Sequence, residues 1–333
     1  ISMSGGKDNT RYSASVNYLN NEGIVMNSGL ERIIGRITLD QGMFDNRLHL
    51  GLSMNYVGEK NRYVGQDPDG NGDNRIWEQM IAYNPTAPVY NADGTYFEKL
   101  DINDNYNPFA LANQIRHQRA MNKFIGSAKA TYDITKHLTY DLLLGLERAS
   151  SDRGLYYSKE SPVTEGAGSN GTATRASKTW DNKTLETYFT YNEQWNKNTL
   201  KVTAGYSYQN FFTNSMSAGN TQFVSDIFSY NNLGAGQGDQ PPVSSGAEEN
   251  SLVSFIGRAF YSYQDKYLLT ATVRRDGSTR FGKDRKWGTF PSASLAWRLT
   301  QEQFLQNSSW LQDLKFRVGY GVTGNQEIQN YKS

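Results

Sequence analysis

The 333-residue sequence contains no cysteine and no long apolar run. The lack of cysteine excludes thiol catalysis, cysteine-ligated zinc sites and redox motifs. No stretch approaches the roughly 18 apolar residues that mark a membrane-spanning helix. The formal net charge is only +1, so no strong field favours nucleic acid as a partner. The chain opens on Ile1 without a signal peptide, so we expect that processing or truncation has removed an earlier segment.

The sequence is instead rich in residues that alternate between apolar and polar with a period of two. One face of residues 138–147 carries Leu138, Tyr140, Leu142, Leu144 and Leu146. The same alternation occurs at 48–56, 200–208 and 314–322, and in weaker form at 11–21, 30–40, 120–133, 183–195, 250–264, 266–276 and 287–299. Residues 1–4 resemble the end of one more strand. The mean hydropathy of -0.69 is compatible with a membrane barrel, because alternation cancels the apolar face in any average.

The connections between these predicted strands alternate in length. Long ones are expected at about 60–119, 151–180 and 211–248, and short ones near 44–46, 134–137, 195–198 and 264–266. Tight turns at one end and long loops at the other are typical of outer-membrane barrels, as are aromatic residues near the strand ends. Residues 300–312 break the rule, and we expect a short helix over 301–311. The pattern therefore predicts roughly eleven or twelve antiparallel strands of an all-β transmembrane barrel.

A soluble β-sandwich or propeller also alternates. Sandwich strands are usually shorter, near 5–6 residues, and no repeat of fixed period is visible. A wide open sheet would leave unpaired backbone groups at its edges, which costs several kcal/mol per group in hydrocarbon. We therefore expect the remaining half of the barrel to come from further sequence or from a second polypeptide.

Several segments resemble the SusC/RagA-type family of TonB-linked outer-membrane transporters. They are residues 1–6 (ISMSGG), 11–23 (RYSASVNYLNNEG), 84–94 (NPTAPVYNADG), 267–299 (YLLTATVRRDGSTRFGKDRKWGTFPSASLAWRL) and 314–331 (LKFRVGYGVTGNQEIQNY). The resemblance runs through residues 1–333. It implies a barrel of about 22 strands closed by an N-terminal plug, of which this chain supplies the first half of the wall. We find no plug domain and no C-terminal barrel strands in it.

The resemblance also implies a function, a location and partners. It implies active import of a nutrient across the outer membrane of a Gram-negative bacterium, with a glycan as the expected substrate and an oligopeptide as the alternative. The implied partners are a SusD-like surface lipoprotein, TonB through the missing N-terminal region, and the lipid and lipopolysaccharide of the membrane. A passive porin-like channel and a surface adhesion or binding barrel are the other functions left open. We do not expect an enzyme, because no catalytic motif is present.

The segment Asp67–Glu78 (DPDGNGDNRIWE) has the spacing of a calcium-binding loop. It would offer oxygen atoms from Asp67, Asp69, Asn71, Asp73 and Glu78, and calcium takes 6–8 oxygen ligands in flexible geometry. Against this prediction, Asn74 replaces the usual apolar residue and no helix is expected before the loop. The alternative is a solvated Asp/Gly turn at a loop tip.

The first long loop is also rich in aromatic residues beside Asn, Asp and Gln. Candidate substrate-binding residues are Trp77, Tyr83, Tyr90, Tyr96, Phe97 and Tyr106. An aromatic ring covers the apolar face of a sugar while polar groups bind its hydroxyls. Packing of the loops together or against a lid protein explains the same residues, and we favour it for most of them. On the polar faces of the strands, charged residues such as Lys123, Glu147 and Arg274 are expected to point into the lumen. We favour internal salt bridges against the plug for them over contact with a substrate.

Overall fold

The computed structural model describes residues 1–68, 70, 75–98, 106–163, 169–305 and 310–331. In this part of the chain, twelve strands form one antiparallel sheet whose order follows the sequence. The strands are β1 (Ser2–Lys7), β2 (Thr10–Glu22), β3 (Gly29–Met43), β4 (Leu48–Tyr63), β5 (Ile115–Asp133), β6 (Leu138–Tyr157), β7 (Thr172–Trp195), β8 (Asn198–Thr221), β9 (Val243–Tyr263), β10 (Tyr267–Ser278), β11 (Trp287–Arg298) and β12 (Lys315–Gly321).

Two short α-helices lie between β4 and β5, α1 (Arg75–Ala82) and α2 (Pro108–Gln114). Short 3-10 segments occur at Asp226–Asn231, which is kinked at Ser229, at Leu233–Ala235 and at Leu299–Gln301. None of the helices in the described ranges has the length and apolar character needed to cross a membrane. The predicted all-β antiparallel fold is confirmed.

Tight turns hold neighbouring strands in register. Between β7 and β8, Trp195 pairs with Asn198 across a two-residue loop in which Asn196 has φ 50°. Between β9 and β10, Gln264 and Asp265 adopt φ values of 55° and 54°. Left-handed backbone at a hairpin turn matches the twist of the strands, and Asn and Asp tolerate it better than most residues. These turns fix which residues face each other across the ladder.

The register aligns the apolar sides of the strands into one continuous band. Leu144 on β6 lies opposite Ala128 on β5 and Leu185 on β7. Leu144 is 45% exposed and Val202 on β8 is 38% exposed, so neither enters a soluble core. Exposed apolar side chains on the same face continue from Val16 on β2 to Val318 on β12. We term this surface the apolar face, and its opposite the polar face.

On the polar face, charged and hydroxyl side chains bind one another between adjacent strands. The Lys123 ammonium forms an ion pair with Glu147 on β6. Thr131 Oγ1 donates a 2.6 Å hydrogen bond to Asp141. Arg274 contacts Asp276 at 2.7 Å within β10. These polar side chains therefore pair with one another within the wall, and salt bridges against a plug stay a prediction.

Several strands continue well beyond the apolar band. β7 and β8 have 24 residues each, so the connections that follow β6 and β8 span 158–171 and 222–242. The expected loops at 151–180 and 211–248 were too long. The apolar alternation stops where the strands leave the band, but the backbone hydrogen bonds between strands continue. Hydrophobicity alone therefore did not reveal the additional strand residues.

The expected helix over 301–311 was wrong for the residues that the structure describes. A 3-10 turn at Leu299–Gln301 is followed by a bend at 302, a turn at 303–305 and a bend at 310, while 306–309 lie outside the described residues. Glu302 anchors this turn by contacts to the neighbouring hairpin. Its carboxylate accepts hydrogen bonds from Tyr267 Oη at 2.7 Å and Trp297 Nε1 at 2.9 Å, and Lys266 Nζ lies 3.0 Å away.

Candidate functional site at the long-loop end

Most of the long connections between strands lie at one end of the sheet, and most of the short ones lie at the other. The segments 23–28, 64–114, 158–171, 222–242 and 279–286 lie at one end. The opposite end carries 8–9, 44–47, 134–137, 196–197 and 264–266, together with 299–314. Because consecutive strands are antiparallel, every second connection returns to the same end. All six predicted substrate residues, together with Asp67 and Glu78, therefore lie at the long-loop end.

Loop 64–114 has a small core of its own. Tyr106 is 7% exposed and packs with Ile76 of α1, Leu111 of α2, Tyr157 and Val163. The Arg75 guanidinium lies 5.7 Å from the Tyr106 ring centroid. Tyr106, predicted to bind substrate, is therefore part of the packing that orders the loop.

A buried asparagine connects the two halves of this loop. Asn107 caps α2 by accepting hydrogen bonds from the backbone N–H of Phe109 at 3.0 Å and of Ala110 at 3.4 Å. Its Nδ2 donates to the carbonyl groups of Val89 and Phe97 at 2.9 and 3.1 Å. An N-terminal Asn cap satisfies backbone donors that a helix leaves free, and here it also fixes segment 89–97 against the helix.

Three aromatic rings form an upper cluster on this segment. The Tyr90 and Tyr96 rings stack with centroids 5.4 Å apart, and Phe109 lies 5.9 Å from Tyr90 and 6.2 Å from Tyr96. Tyr90 remains 48% exposed. The predicted residues Tyr83 and Phe97 meet beneath the cluster, where Tyr83 Oη donates to the Phe97 carbonyl at 3.3 Å.

The sixth predicted residue, Trp77, lies on α1 and is not part of either cluster. It is 43% exposed, beside the exposed Met80 and Ile81 of the same helix. The six candidates thus divide into a buried residue, Tyr106, a partly exposed group around Tyr90, and an exposed apolar side of α1. Only the last two are accessible to a ligand or a partner.

The Glu98 carboxyl lies in surroundings that disfavour its charged form. Its Oε2 accepts the Asn107 N–H at 2.8 Å, while Oε1 is buried without a hydrogen bond. Burial raises the pKa of the Glu98 carboxyl, and the Asn107 hydrogen bond only partly opposes this effect. A buried carboxylate with an unsatisfied oxygen favours its protonated form.

The structure places the predicted calcium residues only in part. Asp69, Asn71 and Asp73 lie outside the described residues. Asp67 is buried with its carboxylate 3.5 Å from His117 Nε2 and 3.8 Å from an Arg153 nitrogen, and Glu78 is exposed on α1. No cluster of three acidic or histidine ligands occurs within the described ranges. Calcium binding at this loop stays a prediction.

Loop 222–242 folds onto the apolar-face side of the extended strands, which the sequence did not suggest. Phe223 is fully buried and packs with Tyr156, Ala173 and Tyr230. Tyr156 Oη donates a 2.6 Å hydrogen bond to Asp226. The bond between Tyr156 and Asp226 joins residues 70 positions apart, so no local sequence pattern could predict it.

A cleft of about 530 Å³ opens between the β2–β3 connection and α2. Its walls include Val25, Arg62, Asn113, Arg116 and Gln118. Asn27 Nδ2 donates to the Ala112 carbonyl at 2.8 Å, which holds the two walls together. The mixed amide and guanidinium lining offers hydrogen bonds to a polar ligand.

The sequence is similar to those of known TonB-dependent receptors. The chain is 34% identical over 339 residues to TonB-dependent receptor P3 of Formosa agariphila, in an alignment that covers all of this chain and 33% of that protein. It is 30% identical over 353 residues to TonB-dependent receptor SusC of Bacteroides thetaiotaomicron, covering 98% of this chain and 33% of that protein. The chain belongs to the SusC/RagA-type TonB-dependent receptor family.

Solved structures agree with this assignment at the level of the fold. This SusC/RagA-type chain superimposes on the RagAB peptide importer in its open-open state with a TM-score of 0.82 and 21% identity, covering 99% of this chain and 36% of that one. No family model matches the sequence. The chain spans about a third of the length of the curated relatives it matches, and the match extends along the whole wall of twelve strands.

Proposed function

We propose that this chain forms part of the wall of an active importer in the outer membrane of a Gram-negative bacterium. The observation that carries the proposal is the apolar face, on which Leu144, Val202 and their neighbours stay exposed across the sheet. Such a face is stable when it contacts lipid, and the internally paired polar face then faces the barrel interior. The long loops would point outward from the cell, as in this class of barrel.

The energy for import would come from TonB. The similarity to proteins named TonB-dependent receptors supports this step. A plug and a TonB-contacting segment would be supplied by sequence outside these 333 residues. We assign no enzymatic activity to the chain.

We propose a glycan as the substrate. Tyr90 and Trp77 present partly exposed rings at the long-loop end, and Asn91 and Asp93 lie on the same segment as Tyr90. A ring with neighbouring amide and carboxylate oxygens suits a sugar. An oligopeptide, the substrate named for the RagAB structures, is the alternative that the uptake experiment below must distinguish.

We propose that a SusD-like surface lipoprotein docks on the exposed side of α1. Trp77, Met80 and Ile81 are 43%, 47% and 89% exposed, while Ile76 on the other side of the helix is buried. Aromatic and methionine side chains are enriched at protein interfaces. A lid protein at this position would cover the mouth of the barrel and the Tyr90 cluster together.

Uptake by the full-length transporter tests this proposal. Labelled oligosaccharides and labelled oligopeptides would be supplied to cells that carry the gene, to a deletion strain and to a strain without TonB. We expect oligosaccharide uptake that is lost in both mutants. Uptake that survives loss of TonB would establish a passive channel, and surface binding without uptake would establish an adhesion protein. Uptake of peptide alone would overturn the glycan assignment but leave active import in place.

A further inference from the structure

Beyond the apolar band, the same side of the sheet becomes positively charged. Arg148 follows Leu146 by two positions on β6, and Lys183 precedes Leu185 by two on β7, so both share the face of the band. Four further cationic residues on strands β4 to β7, at positions 60, 62, 116 and 175, share this face. We term the following set the outer basic patch: Lys60, Arg62, Arg116, Arg148, Arg175 and Lys183.

The ladder brings the upper part of the patch together. Arg62 on β4 pairs with Gln118 on β5, which pairs with Gly154 on β6, which pairs with Arg175 on β7. These residues border a cleft of about 380 Å³, which Lys60 and Tyr230 also line. The cleft thus has cationic side chains on both sides and a glycine in its floor.

Loop 222–242 supplies one wall of the cleft, and Gly154 makes this possible. A Cβ atom at position 154 would lie 2.4 Å from the Tyr230 ring, so only glycine allows the ring to settle there. Tyr230 Oη donates a 2.6 Å hydrogen bond to Gln118 Oε1, and the Arg116 guanidinium stacks 5.2 Å from the ring centroid. The cleft is therefore a shaped site with a fixed wall.

The acidic residues on this surface neutralise only part of the patch. Glu31 lies 3.9 Å from Arg62, and Asp181 lies 2.9 Å from Arg148 and 3.9 Å from Lys183. Asp152 borders the cleft. In the described ranges, Lys60 and Arg175 form no ion pair, and both are exposed. Lys60 and Arg175 are therefore two cations of the patch that no acidic side chain of the described residues neutralises.

The height of the patch identifies its ligand. A strand rises about 3.3 Å per residue and tilts by roughly 40° in a barrel, which gives about 2.5 Å of height per residue. Lys60 therefore lies about 10 Å beyond Tyr56, the last ring of the band on β4. Arg148 and Lys183 lie at the edge of the band itself. Arg62 and Arg175 share a rung of the ladder that lies about 15 Å beyond Tyr56. The patch therefore extends from the edge of the band upward, where the phosphate and sugar groups of an outer-leaflet glycolipid would lie.

We propose that the outer basic patch binds the phosphate groups of a phosphorylated glycolipid of the outer leaflet, such as lipopolysaccharide. Guanidinium and ammonium groups bind phosphate through charge-assisted hydrogen bonds. The adjoining apolar band would pack against the acyl chains of the same molecule, which a free phosphate ion lacks. The inference rests on the proposed membrane location, and it adds a lipid site on the outer wall that is separate from substrate import.

Lipid binding by the full-length transporter tests the inference. The purified wild type and the double variant Lys60→Gln/Arg175→Gln would be titrated with lipopolysaccharide, with the same lipid after removal of its phosphates, and with inorganic phosphate. We expect the double variant to bind lipopolysaccharide at least about tenfold more weakly, because it loses two cations that can form charge-assisted hydrogen bonds to phosphate. The dephosphorylated lipid should bind the wild type as weakly as the intact lipid binds the variant. Inorganic phosphate at equal concentration should not compete.

Matched controls separate this inference from folding and from the proposed function. Lys123→Gln and Lys201→Gln remove two cations from the polar face and should leave lipid binding unchanged. Heat-resistant migration on gels would confirm that each variant is a folded barrel, and Arg148→Gln/Lys183→Gln gives a second test if the first variant fails to fold. The site would be overturned if the folded patch variants bound lipopolysaccharide as tightly as the wild type. It would also be overturned if the wild type bound intact and dephosphorylated lipopolysaccharide equally. Import measured in parallel would remain intact in that case, so the proposed function is judged separately.

Discussion

The Asp67 carboxylate lies 3.5 Å from His117 Nε2, and both side chains are completely buried. The other ring nitrogen of His117, Nδ1, lies 3.1 Å from the Gly65 carbonyl, and Arg153 approaches the same carboxylate at 3.8 Å. Asp67 therefore fastens the start of loop 64–114 to strands β5 and β6. A calcium site that uses this residue would have to share its carboxylate with these contacts or break them.

We expect Asp67→Ala to loosen the long-loop end whether or not calcium binds there. Removal of one member of a buried charged cluster leaves the others uncompensated, at a cost of about 3–5 kcal/mol. Hydrogen exchange should become faster in 64–68 and in α1, while the strands within the apolar band keep their protection. Unchanged exchange in α1 would show that Asp67 does not hold the loop.

The calcium prediction itself is best tested at Glu78. This side chain is exposed on α1 and forms no hydrogen bond or ion pair with the residues that the structure describes, so Glu78→Gln should be neutral for folding. If the loop binds calcium, the variant should lower calcium affinity, because the closing bidentate ligand is removed. Terbium luminescence or calorimetry on the full-length protein would measure this. Identical calcium titrations for wild type and variant would remove the loop from consideration as a calcium site.

The two faces of β6 predict opposite effects for neighbouring residues. Leu144→Lys places a charge in the middle of the apolar band and should destabilise the barrel in lipid by about 2–4 kcal/mol. Leu143→Lys, one position away on the polar face beside Glu186 on β7, should change stability far less. Unfolding by denaturant in phospholipid vesicles would compare the two. If Leu143→Lys were the more damaging, the assignment of lipid-facing and interior sides would be reversed.

The sequence predicted these two faces because successive side chains of a strand point to opposite sides, so every second residue must suit the same environment. Leu138, Leu142 and Leu144 follow this rule, and the ladder between β5, β6 and β7 obeys it throughout. The aromatic residues of loop 64–114 were harder, since composition does not tell whether a ring is buried. Tyr106 and Trp77 are both aromatic residues of the same polar loop, and their sequence context does not distinguish them. The packing of α1 against α2 buries Tyr106 and leaves Trp77 exposed.

The buried and exposed aromatic residues of this loop should respond differently to truncation. Tyr106→Ala removes a ring from the small core around Leu111 and should lower the local stability by about 3–5 kcal/mol, visible as rapid proteolysis within 64–114. Trp77→Ala should leave proteolysis unchanged and weaken lipoprotein docking, measured as co-purification of the partner. A Trp77→Ala protein that still co-purifies with its lipoprotein in wild-type amounts would locate the docking surface elsewhere than α1.

Glu302 predicts a pH-dependent turn at the short-turn end. Hydrogen bonds from Tyr267, Lys266 and Trp297 lower the pKa of the Glu302 carboxyl below its ordinary value of 4.5. A group whose pKa is lower in the folded state stabilises the fold above its unfolded pKa and loses this contribution as the pH falls through the folded value. We therefore expect the amides at 299–305 to be strongly protected at neutral pH, relative to an unfolded chain at the same pH, and to lose this protection as the pH falls below about 4.5.

The isosteric variant Glu302→Gln separates this ionisation from simple packing. The amide keeps the shape of the side chain and still accepts one hydrogen bond, but it does not titrate and does not attract Lys266. Protection of the amides at 299–305 should then be lower than in the wild type at neutral pH and nearly independent of pH between about 3 and 7, within about a twofold range. Because exchange chemistry itself depends on pH, the comparison is made as the ratio of variant to wild type at each pH. A ratio that stays constant down to pH 3 would mean that the turn is held by Leu299 and Leu314 backbone contacts alone, and that the carboxylate has no role in it.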